Sequence, residues 1–407
     1  MIIAKLMQES MTSTAYAAIS GDPSRMSHKD RSIFILGGIG KVAGGASDPI
    51  SQIDGYGRNL GNLAFQTAIS QHLDCQRAID RKATAEEIAQ MGELAVIPAA
   101  NHLASHVRLG GFSRRLEKSR VACTMIGLGA QNADTETIPE IPDGTMRLVR
   151  VIAEQAPSRH PNIAVRGEYS KRVLAHYGLG DAAETLGCPS HFLSPDPALG
   201  ERIRLRTGSN IRIAVNAGTP VFTEHRRTEP GLADLVEETR GSYVIQAPEK
   251  SLRLAALDTW GVPLESFSEL KDFVRPESTI DAFIRWMNRY ARCFFNIRAW
   301  MAHYRQHDLV IGTRLHGTIL ALQAGVPAVC LTHDSRTKEV CKLLKLPHLD
   351  LGELPERPSL SEICDLFTFD AAAFDRRRRD LAHRYVEFLR NNSLSPVHWL
   401  VSLSNEA

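Results

Sequence analysis

The sequence predicts an α/β protein built from two doubly wound, Rossmann-like domains facing a cleft. Three observations carry this expectation. Short apolar runs alternate with helical patterns along the chain, the rhythm of a parallel sheet covered by helices on both faces. The 407 residues exceed one ordinary core and suit two domains of roughly 150–200 residues. A polar stretch, Ser194 to Asn210, interrupts the rhythm, which then restarts.

The elements follow in order. Ile33-Phe-Ile-Leu36 reads as a strand, followed by a Gly-rich segment and a helix from about Leu60 to His72. Leu94 to Pro98 and Val121 to Gly127 are strands ending in loop residues. Thr145 to Gln155 is helical, Asn162 to Val165 a strand and Glu168 to Tyr177 helical. Beyond the polar stretch, taken as an interdomain linker, Ile211 to Val215 is a strand, with a helix around Leu232 to Thr239 and the strand Tyr243 to Gln246. One long helical segment is expected from Ile280 to Tyr304, then helices over Thr337 to Leu344 and Phe374 to Asn391. The expected division is a poorly ordered leader (1–30), a first Rossmann-like domain (31–200), a second (205–372), and a C-terminal segment (373–407) crossing back to the first.

The segment Asp308 to Leu331 is the most informative. It reads as an apolar strand, a sharp turn, a helix and a second apolar strand, with Arg314 and His316 where strand becomes helix. Ligands of open α/β sheets bind beyond the carboxyl ends of the strands, and a helix start there points unpaired N–H groups at anions. Leu315, Ile319, Leu322 and Val326 at helical spacing define a buried face. An arginine or histidine at such a junction can also be a plain surface cap or a satisfied polar residue. Ile163 to Ser170 repeats the arrangement, placing Arg166 just past a strand. Two guanidiniums on facing rims suit a carboxylate or a phosphate; the alternative is that Arg166 only pairs with Glu168 or a helix face.

Composition sets limits. Hydrophobic content of 43% and charged content of 23% are those of a soluble globular protein. A net charge of +2 gives no sign of nucleic-acid binding. The run Arg376 to Arg379 reads as a solvated helix face, with peripheral attraction to anionic lipid as the minor reading. The 7 cysteines show no metal-ligand or disulfide pattern, so a reducing cytoplasm and no metal are expected. Cys123 and Cys330 lie in apolar runs as small hydrophobes. No signal-peptide core or membrane-spanning stretch is visible in the sequence. Gly127-Leu-Gly129 is too common to be a nucleotide fingerprint. Cys188-Pro-Ser190 has no base partner nearby in sequence and reads as a loop.

Three blocks carry a family resemblance. Gly312-Thr-Arg-Leu-His-Gly317, with Ala324-Gly-Val-Pro327 and Asp334-Ser-Arg336, resembles the C-terminal signature of the polysaccharide pyruvyl transferase family. Asn59-Leu-Gly-Asn-Leu-Ala64 resembles its N-terminal Gly-Asn turn, and Val165 to Ser170 its central Arg-x-x-x-Ser segment. The resemblance implies a glycosyltransferase B-like fold and transfer of pyruvate from phosphoenolpyruvate to two hydroxyls of one sugar, giving a cyclic ketal. It implies His316 as the acid/base residue, with Arg314 and Arg166 holding the donor. The family usually has a lysine where Arg336 stands; Arg336 keeps the charge with another geometry, and Lys338 is the alternative contact. Ser170 belongs to the donor-binding segment. Asn59 and Asn62 are acceptor-contact candidates, with plain turn formation as the competing reading. No cofactor is implied beyond phosphoenolpyruvate as donor substrate. The implied acceptor is a lipid-linked or nucleotide-linked sugar of a polysaccharide precursor, at a cytoplasmic location that includes the inner face of the membrane. A nucleotide-sugar glycosyltransferase of the same architecture and a non-catalytic glycan-assembly protein are the competing functions. Oligomeric state is not legible.

Overall fold

The computed structural model describes residues 32–40, 53, 56–132, 134–204, 210–256 and 262–405; the expected leader lies outside them. Among these residues, twelve strands form two six-stranded sheets, parallel throughout. The first comprises β1 (Ile33–Leu36), β2 (Ala78–Ile79), β3 (Leu94–Pro98), β4 (Ala122–Leu128), β5 (Ile163–Val165) and β6 (Ala183–Thr185), in the order β2-β1-β3-β4-β5-β6. The second comprises β7 (Ile213–Asn216), β8 (Ser242–Val244), β9 (Ala291–Arg292), β10 (Leu309–Gly312), β11 (Ala328–Thr332) and β12 (His348–Asp350), in the order β12-β11-β10-β7-β8-β9. Central strands such as β3 and β10 are buried at every residue, because helices cover both faces of a parallel sheet. This is the expected doubly wound architecture.

The two sheets share a core. One cluster of buried apolar side chains runs from Ile35 and Val96 of the first sheet through Val310 and Leu331 of the second to Leu403, and from Ser32 onward the chain is one compact unit. The helix Leu315–Gln323 sits at this junction. Every residue from His316 to Gln323 is buried, not one stripe only, because the helix packs on its own sheet and also against the short turn Pro189–Phe192 and the helix Asn62–His72 of the first half.

Two expectations need correction, and the expected linker gains local structure. The single helix over Ile280 to Tyr304 is two, Ile280–Tyr290 and Ile297–Tyr304, separated by edge strand β9. The Asn296 side chain caps the second helix by accepting from the Ala299 N–H at 3.0 Å, an N-cap that stops a helix from running through. The polar stretch from Ser194 contains a helical turn, Leu199–Arg202, with Leu199 and Ile203 buried. The arginine run is not a solvated face. Only Arg376 is exposed. Arg378 is fully buried and donates to the carbonyls of His191 (3.1 Å), Asp196 (2.5 Å) and Ser194. Arg377 donates to Leu343 O and Arg379 to Pro197 O. Carbonyls of an irregular segment lack ladder partners, and buried ones must be satisfied. The helix Ala371–Asn391 supplies the donors. It also reaches the first sheet's flank, where Asn392 Nδ2 donates to Pro161 O at 2.9 Å and Arg384 pairs with Glu184 at 3.2 Å.

Candidate functional site

The turn after β10 owes its shape to Asn216 at the end of β7, which lies opposite Gly312 in the ladder. An added Cβ at Gly312 would lie 2.2 Å from Asn216 O, and one at Gly317 2.1 Å from Asn216 Oδ1. Gly312 also has φ +149°, a conformation that favours glycine. The two glycines of Gly-Thr-Arg-Leu-His-Gly thus let the helix start descend onto the fully buried Asn216. Asn216 Oδ1 in turn accepts from Tyr304 OH and from Gln246 Nε2.

His316 enters the helix at its second residue and is buried, 8% exposed. Elements of the first half close around it. Its ring is 5.7 Å from that of Phe65, and the Arg166 guanidinium lies over Phe65 at 4.9 Å. Its Nε2 is 3.7 Å from Cys188 Sγ. On the Nδ1 side stands Gly61: a Cβ there would be 3.1 Å from His316 Nδ1, 3.0 Å from Asn59 Oδ1 and 2.7 Å from Gln246 Oε1. The halves are tied at this point by the Leu60 N–H, which donates to Gln246 O at 2.9 Å.

Three arginines bear on the histidine. Arg166, 5% exposed, donates from Nε to Gly127 O at 2.8 Å and from Nη2 to Ala99 O at 3.1 Å. It does not simply pair with Glu168. Gly127-Leu-Gly129 gains a role here, since a Cβ on Gly129 would lie 3.4 Å from Arg166 Cδ and 2.6 Å from Asn101 Oδ1. Arg314 donates weakly to Ala217 O and Ala247 O, at 3.4 and 3.5 Å. Arg336 is held by Asp334 at 3.0 Å. Burial opposes ionisation of the Asp334 carboxyl, yet Arg336 and Thr337 bring its pKa to about 2. Burial first, then the charges of Arg166, Arg336 and Arg314, push the His316 pKa well below the ordinary histidine value. The free protein therefore carries neutral His316 among like-charged guanidiniums, an arrangement that attracts an anion.

The remaining expected residues are placed as follows. Lys338 points to Asp350 at 3.4 Å and does not join the cluster; Arg336 does. The Ser170 hydroxyl accepts from the Ala130 N–H at 2.9 Å and holds the loop after β4. Asn62 Nδ2 donates to Tyr56 O at 2.7 Å, and Asn59 Oδ1 accepts from the Gly61 N–H at 2.9 Å, so both shape the turn. Asn59 also faces the His316 side of Gly61. Cys188-Pro-Ser190 opens a short turn, Pro189–Phe192, and its Cys188 has a partner that proximity in sequence did not show: His316, distant in sequence and adjacent in space. Gln246, Phe65 and Glu229 were not anticipated. Glu229 is buried behind Arg314 and accepts from Tyr243 OH and from the Gly218 N–H; burial raises its pKa to about 7.

A recess of about 630 Å³ opens beside Arg314 at the carboxyl ends of the second sheet's strands, with Arg58, Phe222, Lys250 and Arg253 on its walls. Among the described residues no helix is long and apolar enough to cross a membrane.

The fold and this junction define a class: an α/β protein whose two halves enclose a histidine with converging arginines. The sequence pattern of the family described as polysaccharide pyruvyl transferase matches residues 101–335, more than half of the chain. The protein belongs to that family. No curated protein matches the chain. Among solved structures, a UDP-GlcNAc 2-epimerase from Methanocaldococcus jannaschii is 9% identical over 83% of this chain and 93% of that one, with a TM-score of 0.43. The UDP-GlcNAc 2-epimerase from Neisseria meningitidis is 9% identical over 87% and 99%, with a TM-score of 0.43. The glycosyltransferase SnogD from Streptomyces nogalater is 13% identical over 84% and 80%, with a TM-score of 0.30. Likeness at this level informs neither substrate nor mechanism.

Proposed function

We propose that the protein transfers pyruvate from phosphoenolpyruvate to two hydroxyls of one sugar in a polysaccharide precursor, forming a cyclic ketal. The observation that carries the reading is buried His316 with Arg166 of the first half stacked on the Phe65 ring beside it and Arg314 two residues before it at the start of the same helix; the charges of both and of Arg336 oppose protonation of the ring. Phosphoenolpyruvate brings a carboxylate and a phosphate, and guanidiniums suit both.

One acceptor hydroxyl attacks the central carbon of phosphoenolpyruvate while the methylene carbon takes a proton and becomes methyl. A second hydroxyl of the same sugar then displaces phosphate from that carbon and closes the ketal; its proton leaves with phosphate or water. His316 is the proton-handling group. The bound anion offsets the arginine charges and lets the ring take up a proton; the imidazolium gives its substrate-facing proton to the methylene carbon, and the nitrogen so bared takes the proton of the attacking hydroxyl. The arginines stabilise charge on the carboxylate and on the departing phosphate. Arg336 fills the donor-contact position where the family usually has lysine.

The test incubates the protein with phosphoenolpyruvate and lipid-linked or nucleotide-linked glycans. Acceptor-dependent phosphate release supports the reading. Release of nucleoside diphosphate from a nucleotide sugar, with phosphoenolpyruvate inert, would establish a glycosyltransferase, for which the recess beside Arg314 is the place a nucleoside would take. Absence of both activities in a folded protein would leave a glycan-assembly role.

A further inference from the structure

Cys188 and Ser190 have no part in the reaction as drawn, yet both are completely buried and one touches His316. Cys188 stands at the start of the turn Pro189–Phe192, which packs against both the Asn62–His72 helix and the helix that carries His316. Its Sγ is 3.0 Å from Ser190 Oγ and 3.7 Å from His316 Nε2. Among the described residues this thiol is the hydrogen-bond partner of the imidazole.

A neutral imidazole carries one N–H, and the partner of one nitrogen decides where it sits. Sulfur is a weak acceptor, whereas an unprotonated ring nitrogen is a good one. The contact is therefore best made as Ser190 O–H to sulfur and Cys188 S–H to Nε2. The other side of the ring agrees. Asn59 Oδ1 and Gln246 Oε1 approach the same point as Nδ1, the place a Cβ on Gly61 would take, so the side of the ring that Nδ1 faces carries acceptor oxygens and no donor that would require a bare nitrogen there.

We infer that Cys188 is a positioning residue for His316: its thiol donates to Nε2, fixes the Nδ1–H tautomer, and leaves Nδ1, facing the Gly61 turn, as the nitrogen that exchanges protons with substrate. The inference rests on the proposed reading for the identity of that substrate, but not for the tautomer itself. A serine at 188 keeps a donor on the same bond, whereas an alanine removes it.

The test uses the full chain with ¹⁵N-labelled histidine, the His316 signals assigned by their loss in His316→Gln. Wild type should show Nδ1 protonated and Nε2 bare, Cys188→Ser should keep that pattern, and Cys188→Ala should shift the ring toward Nε2–H. In the phosphate-release assay Cys188→Ala should lower kcat about tenfold, the scale of losing an orienting partner, with KM for phosphoenolpyruvate little changed and most of kcat recovered in Cys188→Ser. A wild-type ring protonated on Nε2, or a Cys188→Ala ring with unchanged tautomer, would overturn the inference. If Cys188→Ala does not fold, the wild-type and Cys188→Ser spectra still decide. The expected tautomers in a protein that never turns over phosphoenolpyruvate would sink the proposed function and leave this inference standing.

Discussion

Gly61→Ala probes how closely the two halves must approach. Gly61 has φ −57° and ψ −24°, a conformation open to any residue, so alanine adds no backbone strain. Its cost is entirely steric. The new methyl would lie 2.7 Å from Gln246 Oε1 and 3.1 Å from His316 Nδ1, where ordinary contact begins at 3.4 Å. The neighbours must withdraw by 3.4 − 2.7 = 0.7 Å and 3.4 − 3.1 = 0.3 Å respectively. A misplacement of about 1 Å at reacting groups costs about 10²-fold, so displacement of a third to two-thirds of that should lower kcat about tenfold. Overpacking should cost roughly 1–3 kcal/mol of stability. Gly178→Ala is the control. Gly178 has φ +76° with nothing within 4 Å of an added Cβ, so alanine there strains the backbone and leaves the site alone. Phosphate release and urea unfolding are measured on both variants. The account expects lost stability in each and lost turnover only in Gly61→Ala. Wild-type turnover in Gly61→Ala would refute the claim that this contact sets the position of His316.

Four further outcomes are expected. His316→Ala should fold normally and lose about 10² or more in turnover, and near-normal phosphate release would remove the histidine from the chemistry. Arg336→Ala should raise KM for phosphoenolpyruvate at least tenfold, with Arg336→Lys intermediate and Lys338→Ala unchanged; a reversed order in steady-state kinetics would move the donor contact to Lys338. Because burial and three arginines hold His316 neutral, an anionic donor should draw a proton onto it. Calorimetry near pH 8 in buffers of different ionisation enthalpy should show proton uptake on phosphoenolpyruvate binding that His316→Gln lacks, and buffer-independent heats in wild type would contradict the charge argument. Burial lowers His72 and His102 to about 3 and His303 and His307 to about 4. These folded values lie below the unfolded value of about 6.5, so the unfolded chain binds more protons in acid. Their contribution to stability is complete above pH ~6.5 and declines as pH falls toward the folded values, at about 1.4 kcal/mol per pH unit for each extra proton. The urea midpoint should be lower at pH 5.5 than at 7.5, and equal midpoints would refute this.

The legibility of the molecule in its sequence follows physical range. Strands such as Leu94–Pro98 and Leu309–Gly312 could be read because a strand buried on both faces must be continuously apolar. The Arg314–His316 junction could be read because strand, turn and helix are contiguous. The edge strands β2 and β9, two residues each, left no periodic trace. The break before Ile297 was signalled only by Asn296, amid apolar residues that continue a helical pattern. Arg378 looked like one of four surface charges because its partners are carbonyls 182 to 187 residues away. Cys188 has no partner within reach along the sequence, because its partner His316 lies 128 residues along the chain. Gln246 and Phe65 are ordinary core-pattern residues until the halves meet at Gly61. Local propensity and periodicity describe each half; the site is made where the halves touch.

The central claim is that phosphoenolpyruvate gives up its three-carbon unit as a ketal. Mass and NMR analysis of the recovered acceptor after incubation with ¹³C-labelled phosphoenolpyruvate tests it most directly. The account predicts one labelled carbon bonded to two oxygens of a single sugar ring, carrying a methyl group and a carboxylate, with one phosphate released per ketal. An acceptor bearing an enol ether through one oxygen, or an unlabelled acceptor extended by a sugar from a nucleotide donor, would contradict it.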